Sequence, residues 1–308
     1  MKICRFNHDR IGVVQEDDVY DVTDLFERQL HWPAPLGDVV IGQLEKTLDV
    51  VREKLPGIKP LKLSSVRLES PVANPGKIIG APVNYHAHIE EANGDSEINN
   101  GKTFTTLEAY GLFLKANSSL IGTADEVRSA FAGRRTDHEV ELAVVIGKTA
   151  RHVPVEAALD YVAGYTIGLD MSVRGGETPC YRKSPDTYSV LGPWLVTRDE
   201  IPDPDNLDLS LHVNGEVRQQ ANTHLLILNV RRVIAYASAL YTLHPGDVIR
   251  QAHQLILLRE RGRETQELGD GLLVLEIRRH SLLEEAAEVL VELRVFLGVA
   301  PGLAVEEL

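Results

Sequence analysis

Short apolar runs separated by turn residues constrain the fold of this 308-residue chain more than any other feature of its sequence. Runs such as ELAVVIG, VAGYTIGLD, GPWLVT and LDLSLHVNG each have the length of one strand, and Gly, Asn or Pro stands between them. Between and after these runs, VPVEAALDYVAG and NVRRVIAYASALYTL have helical periodicity. Many strands and few helices predict a β-rich α+β fold, a mixed roll or sandwich, rather than alternating βα units.

The first 70 residues have a pattern of their own. Alternation of apolar and polar residues up to residue 22 predicts two or three short antiparallel strands, and residues 36–55 carry apolar positions at helical spacing until Pro56. The proline-containing stretch 61–77 indicates a linker. We therefore expect a small N-terminal α/β domain over residues 1–70 and a larger β-rich domain over 71–308, ending in an amphipathic helix and a tail from residue 281.

Composition excludes several classes of protein. A net charge of −13 argues against nucleic-acid binding, which normally concentrates Lys and Arg. The sequence has no apolar run of about 18 residues, so no membrane span is expected. The two cysteines match no CxxC pattern, and the first residues resemble no secretion signal. We expect a cytoplasmic protein with reduced thiols.

Three carboxylates stand at positions where predicted strands carry them to one edge. Glu139 and Glu141 are two residues apart, so on a strand they point to the same face, and Asp170 ends the apolar run YTIGLD. Neighbouring like charges are unfavourable unless a cation lies between them. Carboxylate oxygens suit Mg²⁺, Mn²⁺ or Ca²⁺, whereas Zn²⁺ prefers His and Cys. Two simpler interpretations remain open: a solvated strand edge for the glutamates and a turn cap for Asp170.

A second cluster, NYHAHIEE, contains a candidate general base. On a helical turn His88 and Glu91 are three residues apart and can touch. A carboxylate on one imidazole nitrogen makes the other nitrogen a better base. A surface His/Glu pair has the same pattern, and His86 is the alternative base. The polar stretch NGDSEINNGKTFT that follows is long enough to be a lid.

Cationic side chains form a third group of candidates. They are Lys115 in LFLKANSSL, Arg174 four residues after Asp170, and Lys183 in RKSPDT. Beside an acidic metal site, a fixed arginine is suited to bind a substrate carboxylate. Surface solubility is the simpler explanation for each of the three.

Long blocks in a fixed order give the chain a family resemblance. They are KIIGAPVNYHAHIEEA, LFLKANSSLIG, DHEVELAVVIGKTARHVPVEAALDYVAGYTIGLDMSVRG, KSPDTYSVLGPWLV, LHVNGEVRQQANT and TLHPGDVI. Over these blocks, roughly residues 75–249, the chain resembles the fumarylacetoacetate hydrolase family. The chain contains no GxGxxG after a strand, no GxxxxGK[ST], no GxSxG and no HExxH, so a nucleotide cofactor or a serine nucleophile is not indicated.

The resemblance implies a site as well as a fold. It implies a small N-terminal domain, a β-rich catalytic roll and a homodimer. It places Mg²⁺, Mn²⁺ or Ca²⁺ on Glu139, Glu141 and Asp170, and it places His88 and Glu91 on a lid helix as the activators of a water molecule. Arg174 and Lys183 match the family's arginine after the metal-binding Asp and its lysine in the KSxDT block. We expect Lys183 to act in catalysis, and Arg174 and Lys115 to bind the substrate.

The implied reaction is hydrolysis of a carbon–carbon bond in a small keto acid of the acylpyruvate type, such as fumarylacetoacetate or fumarylpyruvate. Isomerisation or decarboxylation of a hydroxymuconate-like diacid is the alternative, and a keto-acid-binding relative without turnover is a third reading. The chain departs from its family after TLHPGDVI, where RQAHQLILLRERG replaces a segment of the kind TGTPxGVG. We expect this departure to leave the metal site intact, to lower substrate affinity or turnover, and to leave residues 250–262 mobile or displaced.

Overall fold

The computed structural model describes residues 1–29, 36–131, 133–251, 271–279 and 289–298. Its strands in chain order are β1 Lys2–Phe6, β2 Arg10–Gln15, β3 Asp18–Asp21, β4 Leu61–Lys62, β5 Leu68–Glu69, β6 Ile78–Ala81, β7 Phe113–Lys115, β8 Leu120–Ile121, β9 Val127–Arg128, β10 Thr136–Ile146, β11 Val162–Val173, β12 Ser189–Thr197, β13 Leu207–Val213, β14 Glu216–Asn222, β15 Val248–Gln251, β16 Gly271–Arg279 and β17 Val289–Gly298. Its helices are α1 Val39–Lys54, α2 His86–Gly94, α3 Ser96–Asn99, α4 Leu107–Tyr110, α5 Pro179–Arg182 and α6 Val230–Leu240.

The described strands form two sheets. The larger has the order β4-β3-β2-β1-β12-β11-β10-β15-β6-β7, with β5 added to β1 and β8 added to β12. The smaller has the order β14-β13-β16-β17-β9. Most neighbours are antiparallel, but β15 runs parallel to β6. The predicted β-rich α+β fold is confirmed.

The N-terminal strands extend the larger sheet. β1 pairs with β12, so that Ile3 lies opposite Leu195. Helix α1 begins after Asp38, whose carboxylate accepts hydrogen bonds from two backbone N–H groups of the first turn. Its buried face, which includes Ile41 and Leu44, packs in one apolar cluster with β1 and β2. The boundary predicted at residue 70 stays a prediction.

Two helix predictions are wrong in part. The stretch VPVEAALDYVAG contains a 3₁₀ segment, Val155–Tyr161, and β11 already begins at Val162. The last predicted helix, from residue 281, contains strand β17 over Val289–Gly298, while residues 281–288 lie outside the described residues. In VLVELRVFLG, Glu292 and Arg294 stand two residues apart among apolar residues, which is the period of a strand. Pairing with β16 favours that period over the helical one.

The remaining elements near the site agree with the sequence. The predicted helices at residues 36–55, 86–92 and 229–243 correspond to α1, α2 and α6. The polar loop after α2 contains the short helix α3. Within the described part of the chain, no helix has the length and apolarity needed to cross a bilayer.

Candidate active site

The three predicted metal ligands meet at the centre of the larger sheet. In the antiparallel β10–β11 pair, Glu139 lies directly opposite Asp170, and Glu141 follows on the same face of β10 opposite Gly168. All three carboxylates are buried, and their oxygens lie within 4.8 Å of one another. We call Glu139, Glu141 and Asp170 the acidic triad. Strand register therefore brings together two groups about 30 residues apart in the sequence, as the period-two pattern predicts.

The acidic triad fits a divalent cation. Its donors are all carboxylate oxygens, the ligands that hard cations such as Mn²⁺ and Mg²⁺ prefer. Glu141 Oε2 is buried and accepts no hydrogen bond among the described residues. Its near neighbour is the Arg250 guanidinium, whose Nε lies 2.7 Å away without forming a directed hydrogen bond. A buried carboxylate oxygen that lacks such a bond is costly, and a divalent cation bound there would lower that cost.

Two lysines hold the triad. Lys183 Nζ donates to Glu139 Oε2 and to Asp170 Oδ2, each at 2.7 Å, and it also contacts Ser172. Lys115 Nζ donates to Asp170 Oδ1 and, at 2.7 Å, to the carbonyl oxygen of Tyr188. Both lysines are buried. The repulsion expected among three neighbouring carboxylates is therefore offset by charges of the chain itself.

Arg174 connects the triad to a line of alternating charges. It donates to Glu139 Oε1 at 2.9 Å and to Asp137 Oδ2 at 2.7 Å. Asp137 also accepts from Arg135 Nε at 2.8 Å, and Arg135 in turn donates to Asp95 at the start of α3 at 2.9 Å. We call Asp95, Arg135, Asp137, Arg174 and Glu139 the charge relay. It joins α3, in the predicted lid, to Glu139, a predicted metal ligand.

A further cation, Arg250 of β15, lies beside the triad. It was not among the predicted site residues. Its Nε lies 2.7 Å from Glu141 Oε2, and Nη1 lies 3.9 Å from Asp170 Oδ1. Its side chain is completely buried. The pairing of β15 with β10 gives this arrangement, since Arg250 lies opposite Ala143. The predicted departure from the family begins here. Arg250 and Gln251 are paired within β15, so the expectation of a displaced segment is wrong for these two residues, and residues 252–262 lie outside the described residues.

The predicted base pair lies on α2. His88 Nδ1 is 3.4 Å from Glu91 Oε2, which is the contact expected for residues three apart on a helix. His88 is buried, whereas His86 is exposed. A positive charge on His88 would be among the influences that lower the pKa of Glu139, which places the two side chains in the same region.

The protonation of the triad is uneven. Burial opposes ionisation of Glu139, but Lys183 and Arg174 hold its pKa well below the usual range. Burial raises the pKa of Glu141 to about 7, although Arg250 opposes this. Burial likewise lowers the pKa of Lys115 to about 7 against the effect of Asp170. Glu141 is the triad member least compensated by its surroundings.

Residues 77–251 match the model of the family described as fumarylacetoacetate (FAA) hydrolase C-terminal. The chain belongs to the fumarylacetoacetate hydrolase family. The resemblance in the sequence is thereby confirmed, as is the expectation of a hydrolase. The match ends at Gln251, two residues after the last block that carries the resemblance.

Several relatives in this family share most of the chain. A maleylpyruvate hydrolase of Aquipseudomonas alcaligenes is 56% identical over 253 residues, which cover 81% of this chain and 88% of that protein. A crystal structure of maleylpyruvate hydrolase from Sphingobium sp. SYK-6, in complex with manganese(II) ion and pyruvate, has a TM-score of 0.77 and 36% identity, and covers 97% of this chain and 99% of that one. The 5-carboxymethyl-2-hydroxymuconate delta-isomerase of Mycobacterium smegmatis has a TM-score of 0.65 and 25% identity, covering 98% and 100%. A divalent cation is thus supported for a related structure and by the acidic triad here.

Proposed function

We propose that the chain is a metal-dependent hydrolase of acylpyruvates and that maleylpyruvate is its first candidate substrate. The acidic triad is the observation that carries this proposal. Buried carboxylates held in ion pairs add little to the stability of a sheet, and clusters of such groups are typical of functional sites. The substrate comes from the 56% identity to a maleylpyruvate hydrolase. Isomerase relatives share the fold at lower identity, so hydrolysis is the favoured reaction.

Glu139, Glu141 and Asp170 are the proposed metal ligands. Mn²⁺ is the first ion to test, since a related structure contains it, and Mg²⁺ and Ca²⁺ suit the same oxygens. A divalent cation bound there would polarise a substrate carbonyl oxygen and stabilise negative charge on it. The chain's own groups would then have to bind the keto acid and move protons.

His88 and Glu91 are proposed to activate water. With Nδ1 directed at Glu91, the other imidazole nitrogen of His88 is the basic one. It would take a proton from water, whose oxygen then bonds to the acyl carbonyl carbon. The bond from that carbon to the pyruvate methylene group breaks, and its electron pair stays on the methylene carbon as an enolate. Protonation of that carbon gives pyruvate, and the acyl part leaves as a carboxylic acid.

The three predicted cations are proposed to act near the triad. Lys183 lies 2.7 Å from two triad carboxylates, so its ammonium group is placed to stabilise negative charge that develops beside them. Arg174 and Lys115 are proposed to bind the substrate carboxylate. Each already contacts a triad residue, so this role requires them to exchange one anionic partner for another.

Product analysis tests the proposed reaction. Purified protein with Mn²⁺ and maleylpyruvate should release pyruvate, which a coupled lactate dehydrogenase assay detects. Acetylpyruvate tests the breadth of the acyl group. Loss of the enol absorbance without pyruvate would indicate isomerisation and contradict the proposal. Turnover of neither substrate would leave a binding protein.

The assembly and location are proposed from the family resemblance alone. We propose a homodimer in the cytoplasm. Light scattering of the purified protein should give twice the chain mass of 34.1 kDa. A monomeric mass would contradict the dimer.

A further inference from the structure

Arg250 contacts Glu141, one of the three proposed metal ligands. Its Nε is 2.7 Å from Glu141 Oε2, and its side chain has no exposure. The β10–β15 register fixes this position, because a residue opposite Ala143 shares the face of β10 that carries Glu141. The contact is therefore set by the main chain of two central strands.

Gly168 gives the guanidinium group its space. This glycine lies opposite Glu141, and a Cβ added there would lie 2.8 Å from Arg250 Nε. The guanidinium fills this space but is poorly hydrogen-bonded. Its three nitrogens have no hydrogen-bond partner among the residues that the structure describes. Arg250 is held beside Glu141 by charge, with little of the directional bonding that an arginine normally makes.

Lys183 offers a contrast. It makes hydrogen bonds to Glu139, Asp170 and Ser172, so it links and orders several groups. Arg250 instead places a full positive charge against Glu141 Oε2, a triad oxygen that accepts no hydrogen bond among the described residues. An ion that replaced Arg250 there would break no hydrogen bond between this oxygen and the described residues. A guanidinium there competes for the ligand and also repels a divalent ion nearby, strongly so at low local dielectric.

We infer that Arg250 is an internal competitor of the divalent cation: it occupies Glu141 in the metal-free protein and lowers the affinity of the triad for metal. This inference rests on the proposed binding of a divalent cation by the triad. Arg250 must therefore move away from Glu141 when the ion binds. In the metal-free protein, the charge of Arg250 offsets the negative charge of the triad, and the same charge lowers the affinity of the triad for metal.

Titration calorimetry with Mn²⁺ tests the competition. At about pH 8, Arg250→Gln should bind Mn²⁺ at least about tenfold more tightly than the unmodified chain. The rise in Tm on adding Mn²⁺ should also be larger in this variant. Arg250→Lys keeps the charge and should stay within about threefold. Arg52→Gln makes the same change in net charge at an exposed position and should leave the affinity unchanged.

The outcomes separate this inference from the metal site itself. Equal or weaker binding by Arg250→Gln overturns the competition, and the triad stands if both proteins bind Mn²⁺. If neither binds, the competition and the triad both fail. If Arg250→Gln does not fold alone, refolding with Mn²⁺ decides. If Arg250 competes with the ion, Mn²⁺ should replace the lost positive charge and restore folding of the variant. A variant that stays unfolded with Mn²⁺ overturns the inference.

Discussion

The two halves of one face of β10 are equally buried and chemically opposite. Glu139 and Glu141 occupy the first half, and Ala143 and Val145 the second. The second pair packs in an apolar cluster with Ile3, Leu195 and Val248. The burial of the first pair is compensated by ion pairs with Arg174, Lys183 and Arg250. Apolar contacts stabilise the second half directly, whereas the first half is tolerated because each charge has a partner.

The two halves of β10 should therefore differ in what they contribute: the apolar half to the stability of the fold, and the charged half to metal binding and turnover. A substitution in the charged half should change metal binding and turnover more than the fold, and one in the apolar half should do the reverse. The following changes test the division.

Glu139→Ala should have the largest effect on turnover. It removes one proposed metal ligand and the shared partner of Lys183 and Arg174. We expect Mn²⁺ binding to be lost by calorimetry and kcat to fall by at least about 10³-fold. Glu53→Ala is a matched control, because Glu53 is 71% exposed and pairs with Lys54 at the end of helix α1, away from the triad and the charge relay. Normal Mn²⁺ affinity in Glu139→Ala would exclude this residue as a ligand.

His88→Ala should lower kcat by about 10²-fold or more, the usual contribution of a general base. Its Mn²⁺ affinity should stay unchanged, since His88 is not a proposed ligand. Glu91→Gln should have a smaller effect in the same direction. His86→Ala, at an exposed position on the same helix, is the control. An essential His86 with a dispensable His88 would show that the assignment of the base is wrong.

The affinity for Mn²⁺ should depend on pH through Glu141. Its pKa is raised to about 7 by burial, and a ligand must be deprotonated. Apparent affinity should fall by about tenfold for each pH unit below 7 and level off above it. In the metal-free protein this carboxyl contributes stability below its unfolded pKa, and that contribution is lost as pH rises through about 7. A pH-independent affinity between about pH 5 and 7 would contradict the shift.

Val145→Ala should have the smallest effect on turnover. It removes two methyl groups from the apolar half and should lower the free energy of unfolding by about 1–3 kcal/mol. Denaturation by urea measures this, and kcat and Mn²⁺ affinity should stay within about twofold. Val217→Ala, at a position that is 40% exposed, should change stability by less than about 0.5 kcal/mol. A large loss of metal affinity in Val145→Ala would break the division between the halves.

The triad could be predicted because both of its strands are long and apolar. In β10 the glutamates interrupt an apolar run at period two, and Asp170 does the same in β11. Arg250 could not be predicted in the same way. Its contact depends on which strand β15 pairs with and in what register, and those are tertiary choices.

The position of Asp137 beside the site could have been predicted from the sequence, because Asp137 lies two residues before Glu139 and therefore on the same face of β10. The C-terminal segment misled for a different reason. Its apolar and acidic residues fit a helical period over residues 281–297, and only the neighbouring strand β16 favours the extended form over Val289–Gly298. Local periodicity therefore predicted central strands better than the last one.

The charge relay has a consequence for how substrate entry and metal occupancy affect each other. Each of its inner members touches two groups of opposite charge, so a displacement of Asp95 with α3 removes a partner from Arg135 and, through Asp137 and Arg174, alters the field at Glu139. Free energies of binding are reciprocal: whatever the position of α3 does to the affinity for the ion, the ion does equally to the position of α3. Ion binding at the triad and the position of α3 would then form one linked equilibrium.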